Sequence, residues 1–149
     1  MASSWTLTPA GQCCLEDLHA VADAAAVRAW AHSGQSVATA GPLVVRALDA
    51  AWDTGGEAFA VMAPVHLPEE MSEAGLLAER LTGLRFHRFD AHIAAWRDAG
   101  HSVPDLDSLS DHERAALEVD TNARAAGPYA VLSASEQEQL LTGLGDLAN

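Results

Sequence analysis

One stretch of the chain decides the fold: EEMSEAGLLAERLTGLRFHRFDAHIAAWRDA, residues 69–99. Its apolar residues recur at the spacing of an α-helix, its first turn is acidic, and Arg97 lies near its end, where a cation favours the helix dipole. Gly100 follows as a stop signal. We expect one long helix here, with either a kink or a split near Gly83 because glycine weakens a helix interior.

Upstream of this stretch the sequence predicts two helices and one ambiguous segment. Apolar residues at helical spacing indicate a helix over residues 14–32, which Gly34 would end. A second helix is expected to open at Gly41-Pro42 and to stop before Gly55-Gly56, since proline is favoured in a first turn. Residues 57–67 (EAFAVMAPVHL) suit either a short helix or an extended segment.

Downstream, two serines each stand three residues before a glutamate, the pattern of a capping box. Ser110 with Glu113 and Ser133 with Glu136 should begin helices of roughly 16 and 14 residues. A loop at residues 127–129 separates them. We find no segment with the pattern of a strand, so we expect an all-α, single-domain bundle of about five helices over residues 1–149, with residues 1–12 as a flexible N-terminus.

The charge of the chain excludes several classes of partner. Eight basic residues, all arginine, face 21 acidic ones, which gives a net charge of −13. Nucleic acid and an anionic membrane surface would both be repelled, so we expect neither as a partner. The chain has no apolar run long enough to span a bilayer and no signal-peptide pattern at its start, so the cytoplasm is the expected location. The adjacent Cys13 and Cys14 are expected to be ordinary thiols.

Three polar side chains stand out on the long helix. At about 100° per residue, its apolar residues occupy an arc of roughly 180°. Arg85, Arg88 and His92 fall in the middle of that arc, whereas His87 and Asp90 fall on the other side. Cations on an apolar face are costly unless they are paired or line a cavity that holds an acidic ligand.

Two interpretations of this trio remain open. Glu118, Asp120 and Asn122 on the following helix can pair with it, as a structural network that joins two helices. Alternatively, Arg85 and Arg88 bind an acidic or carbonyl oxygen and His92 moves a proton, as the catalytic groups of a ligand pocket. In that case Glu118, Asn122, Trp96, His66 and Tyr129 are the expected substrate-binding residues. No nucleotide, nucleophile or metal motif is present, so we expect no cofactor and no metal.

The run Leu84-Arg85-x-His87-Arg88-x-Asp90-x-His92-x-Ala94-Ala95 resembles a segment of an actinobacterial family of uncharacterised proteins that are classified as helix-turn-helix and MarR-like. A second segment, LEVDTN at residues 117–122 followed by Pro128-Tyr129, is similar to that family's I-E-x-x-T-D…P-W pattern. The resemblance covers residues 65–147. It implies a site made of the arginines, histidines and aspartate of the first run with Glu118, Thr121 and Asn122.

This chain departs from the family at its DNA-binding part. Residues 101–109 are all that separate Gly100 from Ser110, where the family has a recognition helix and a wing. A winged helix does not fit there, so the resemblance implies a site but not a DNA-binding function.

We therefore expect a small helical protein that binds an organic, acidic or carbonyl-bearing metabolite, with a cofactor-free cyclisation, isomerisation or dehydration in a biosynthetic pathway as its possible chemistry. The alternative is a non-catalytic domain that senses a ligand or docks a protein, including a second copy of itself as a homodimer.

Overall fold

The computed structural model describes residues 6–63, 67–102 and 108–148, and in these ranges it contains helices and no strand. Six α-helices follow one another: α1 (Pro9–Ala29), α2 (Gly34–Ala51), α3 (Glu57–Met62), α4 (Glu73–Asp98), α5 (Asp111–Ala125) and α6 (Ala134–Leu147). A 3₁₀ turn at Gly127–Val131 joins the last two. The all-α fold is confirmed.

Helix α4 is the centre of the bundle and contacts α1, α2, α3 and α5. The side chain of Ser72 caps its first turn, and the helix then runs through Gly83 without a break, so the split does not occur. Gly100 ends the segment with a φ of 80°, the left-handed conformation that glycine adopts at no steric cost.

The hydrophobic core lies between α2 and α4 and is closed by α3 and α6. Its members are small and aliphatic apart from one fully buried ring, Phe59 of α3. The core residues are Val37, Ala40, Leu43, Val44, Ala47, Leu48, Ala51, Phe59, Ala63, Leu77, Leu84, Leu132 and Leu140. Alanine at several of these positions lets the helices approach closely, as expected from the alanine-rich composition.

The boundaries of the first two helices differ from those expected from the sequence. Thr8 caps α1, with Pro9 in the first turn, so the helix starts five residues earlier and includes part of the expected flexible N-terminus. Gly34 begins α2 rather than ending α1, and Pro42 lies inside α2. A proline there leaves the carbonyl of Ala38 without its helical donor, and because Ala38 is exposed, solvent can take the place of that donor.

Both capping boxes are confirmed. Ser110 and Glu113 begin α5, and Ser133 and Glu136 begin α6, with reciprocal hydrogen bonds between side chain and backbone in each case. Hydrogen bonds from Ser133 and from Arg46 of α2 lower the pKa of Glu136 to about 2. The second box thus also attaches α6 to α2.

Helix α1 is attached at the edge of the bundle. Among its described residues only Ala26 is buried, whereas Leu18 and Val21 are more than half exposed. Asp23 accepts hydrogen bonds from the backbone N–H (3.1 Å) and the hydroxyl of Ser72. Behind the last turn of α1, the Trp30 indole donates to the carbonyl of Leu147 at 3.1 Å.

Candidate functional site

The buried face of α4 differs from the arc expected from the sequence. His87 is buried, with 3% of its surface exposed, whereas Arg85 and Arg88 are exposed and His92 is half-buried. The expected placement of the two arginines in the core and of His87 in solvent is therefore wrong. Phe89, one of the apolar residues of the expected arc, is half exposed. The neighbours of His87 are instead Phe59 of α3 and Thr54 just before it.

Four of the predicted site residues nevertheless lie together in one cavity of about 410 Å³ between α4, α5 and the 3₁₀ turn. We call this cavity the arginine groove. Its polar groups are Arg85, Arg88, Asn122 and Tyr129, and its apolar groups are Leu81, Leu84, Ala125 and Ala126.

Arg88 is held in the groove by partners on α5. It forms an ion pair with Glu118 and donates a hydrogen bond to the Asn122 side-chain oxygen at 3.1 Å. The two charged side chains are 44% and 51% exposed, so the pair orients Arg88 more than it stabilises the fold. Glu118 itself does not line the groove.

Arg85 and Tyr129 offer free donors to the groove. In the part of the chain that the structure describes, no carboxylate lies within ion-pair distance of Arg85, and no group bonds the Tyr129 hydroxyl. Burial raises the pKa of Tyr129, so its hydroxyl keeps its proton at neutral pH.

The two remaining described residues of the predicted site lie elsewhere. The His92 imidazole meets the fully buried Thr121 hydroxyl at 3.1 Å in the contact between α4 and α5. Its ring packs on Trp96 at a centroid distance of 5.4 Å, and among the described residues the buried Trp96 indole N–H has no hydrogen-bond partner. Neither residue lines the arginine groove, and His66 lies outside the described residues.

A larger cavity, of about 680 Å³, lies beside His87, and we call it the His87 cleft. It shares no lining residue with the arginine groove. The turn before α3, α3 itself, α4 and one residue of α5 form its walls. Its lining residues are Thr54, Gly56, Glu57, Ala58, His87, Phe89, Asp90, Ala91, Ile93, Ala94, Arg97 and Arg124.

His87 is fixed by neighbours from two segments. Its Nε2 atom is 2.9 Å from the Thr54 hydroxyl, and its ring stands edge-on to Phe59 at 5.7 Å. Burial lowers the pKa of His87, and the nearby Asp90 carboxylate opposes part of that shift. The imidazole is therefore neutral at pH 7, a form in which one nitrogen donates and the other accepts.

Asp90 ties α4 to the start of α3. Its carboxylate accepts hydrogen bonds from the backbone N–H groups of Gly56 (3.1 Å), Ala58 (3.1 Å) and Phe59 (2.8 Å). A Cβ atom on Gly56 would lie 2.7 Å from the carboxyl carbon, so glycine is required for this close approach. The fold thus uses most of the acceptor capacity of this carboxylate.

The sequence contains a signal for this cleft in the spacing of residues along one side of α4. His87, Asp90, Ala94 and Arg97 follow one another at intervals of three and four residues, and such a row lies along one side of a helix. The expected arc placed His87 and Asp90 together, as the structure does, but on the side that faces solvent. Thr54 carried no comparable signal, because only the tertiary fold brings it to His87.

Comparison with known proteins finds no matching family model, no matching curated protein and no matching solved structure. No helix in the described ranges combines the length and the apolar character needed to cross a membrane. Within the same ranges no three histidine, cysteine or acidic side chains are grouped as they would be around a metal ion.

Proposed function

We propose that the protein binds a small organic acid in the arginine groove. The observation that carries the proposal is the presence, around one apolar cavity, of the protonated Tyr129 hydroxyl and of the Arg85 guanidinium, with which no described carboxylate pairs. A guanidinium gives a carboxylate two parallel hydrogen bonds, and a phenol adds a third donor. A ligand with one acidic end and an apolar body satisfies both kinds of lining.

Arg88 and Asn122 extend the same pattern. Because the Asn122 oxygen accepts from Arg88, its amide nitrogen is left to donate toward a ligand oxygen. Four donors thus line a cavity of about 410 Å³, within the usual size range of small-molecule sites. In a chain of net charge −13, these two arginines give an anion a local positively charged site.

We favour binding over catalysis for this groove. The predicted proton-transfer group, His92, is absent from its lining, and the groups present are donors that hold a ligand without removing a proton. We therefore propose a ligand-sensing or ligand-carrying role in the cytoplasm, for a ligand from a biosynthetic pathway. A cofactor-free reaction on that ligand stays the second candidate and needs a base that the groove itself does not contain.

Titration of the ¹⁵N-labelled protein with benzoate and succinate, and with neutral benzamide as the matched control, tests the proposal. The two acids should shift the backbone amide signals of Ala125, Ala126 and Tyr129, and benzamide should not. Arg85→Gln should weaken the response by about tenfold, the loss expected for one charge-assisted contact. Arg28→Gln removes the same charge from exposed α1 and should leave the response unchanged.

The proposal fails if neither acid shifts these signals, or if Arg85→Gln and Arg28→Gln respond alike. Light scattering on the same samples measures whether the predicted homodimer forms. If it does and the acid signals vanish on dimerisation, the groove is a protein interface rather than a ligand site.

A further inference from the structure

We propose that the His87 cleft is a second binding site, for an elongated monocarboxylic acid that carries a hydroxyl group at its far end. The carboxylate pairs with Arg97 and the hydroxyl meets the His87–Thr54 pair. This inference is independent of the arginine groove, because the two cavities have no residue in common.

The charges around the cleft select the position of the acidic end. Arg124 is already neutralised by Asp98 and Asp120, at 2.8 and 3.0 Å. Arg97 has no ion-pair partner among the described residues, so it is the uncompensated cation of the cleft. Glu57 lines the opposite wall, on α3, and repels an anion from that side.

His87 and Thr54 select the chemistry of the other end. The neutral imidazole and the hydroxyl both donate and accept, so together they suit a ligand hydroxyl, which also does both. Three backbone N–H groups already bond the Asp90 carboxylate, so His87 and Thr54 are the main partners for that hydroxyl.

The distance between the two ends sets the shape of the ligand. His87 and Arg97 are ten residues apart on α4, which is about 15 Å along the helix axis. Between them the cleft is lined by Ala94, Ile93 and the half-exposed ring of Phe89. An apolar body of one aromatic ring with a short chain is shorter than this rise, and the long side chain of Arg97, which on a helix points back toward the N-terminus, closes the remaining distance. Such a body would also cover the half-exposed Phe89.

The test uses 3-(4-hydroxyphenyl)propionate as the probe, with binding measured by calorimetry and mapped by the amide signals of Gly56, Ala58 and Ala94. Two matched compounds each lack one end: 3-phenylpropionate has no hydroxyl and 3-(4-hydroxyphenyl)propanamide has no charge. Each should bind at least about tenfold more weakly than the probe.

Three variants separate the contributions. Arg97→Gln should weaken the probe by about tenfold or more and leave the propanamide unchanged. Thr54→Ala should give the probe and 3-phenylpropionate the same affinity. We choose Thr54 rather than the buried His87 for substitution because Thr54→Ala removes only one hydroxyl contact. Arg85→Gln, in the arginine groove, should leave the probe-induced shifts of the Gly56, Ala58 and Ala94 signals unchanged, because the two cavities share no lining residue.

Several outcomes overturn the inference. Absence of binding at millimolar probe does so, as does an affinity that Arg97→Gln and Thr54→Ala leave intact. If Arg85→Gln abolishes binding of the probe and Arg97→Gln does not, the acid occupies the arginine groove; this supports the proposed function and removes the second site.

Discussion

The two cavities beside α4 are built in different ways from the same helix. The arginine groove takes three polar groups, Arg85, Arg88 and Asn122, from exposed side chains and a fourth from the half-buried Tyr129. The ion pair of Arg88 with Glu118 is open to solvent. The His87 cleft also has exposed polar groups, but two of its polar groups hold the fold together: a buried imidazole and a carboxylate that holds the start of α3. The difference predicts that substitutions in the groove change binding alone, whereas substitutions in the cleft change stability as well.

The strongest test of this difference is Asp90→Ala. The change leaves three backbone N–H groups at the start of α3 without their acceptor, so it should lower the free energy of unfolding by about 2–3 kcal/mol. Urea denaturation measures it. Asp98→Ala removes a carboxylate from the same helix but only an exposed ion pair, and should cost less than about 1 kcal/mol. Equal losses for the two variants would contradict the structural role of Asp90.

The next test is the pH dependence of stability. The pKa of His87 is lower in the folded chain than its usual value of 6.5, because burial disfavours the charged imidazole. Below that value the unfolded chain therefore binds the proton more readily than the folded one, and the free energy of unfolding falls as the pH decreases. The contribution is complete above pH 6.5 and is lost on acidification toward the folded pKa.

Urea midpoints at a series of pH values between about 7.5 and 5 measure this contribution. His87→Gln should flatten the profile in that window, whereas His32→Gln, at an exposed position, should leave its slope unchanged. A wild-type slope retained in His87→Gln would show that another group is responsible.

The smallest expected effect belongs to the groove. A double-mutant cycle of Arg88→Ala and Glu118→Ala should give a coupling energy below about 1 kcal/mol, because both side chains are about half exposed. High salt should reduce it further. A coupling energy above about 2 kcal/mol would show that this pair stabilises the fold as the contacts of the cleft do. The groove and the cleft would then not differ in their contribution to stability.

Helix positions followed from the sequence where the signal was local. Each capping box needs only a serine and a glutamate three residues apart, and both mark the helix starts seen in the structure. The boundaries of α2 did not follow, because Pro42 is a first-turn signal that also survives inside a helix when the carbonyl it leaves unpaired faces water.

The candidate sites were only partly accessible from the sequence. The sequence pattern predicted that Arg85 and Arg88 on one helix would face Asn122 on the next, and the three residues do lie in one groove. Spacing gives the angle between side chains on a helix but not the direction from which neighbouring helices arrive. The burial of His87 depends on Phe59 and Thr54, which come from the ambiguous segment and from the turn before it, and so it could not be predicted.

The attachment of α1 has a consequence for how the molecule opens. A helix of 21 residues that buries only Ala26 loses little apolar contact when it detaches, and the hydrogen bonds of Asp23 and Trp30 are its main tethers. Local opening of a weakly held element costs less free energy than global unfolding. The amide protons of α1 should therefore exchange with solvent well before those of α2 and α4, and a protease should cut α1 while the two cavities beside α4 remain intact.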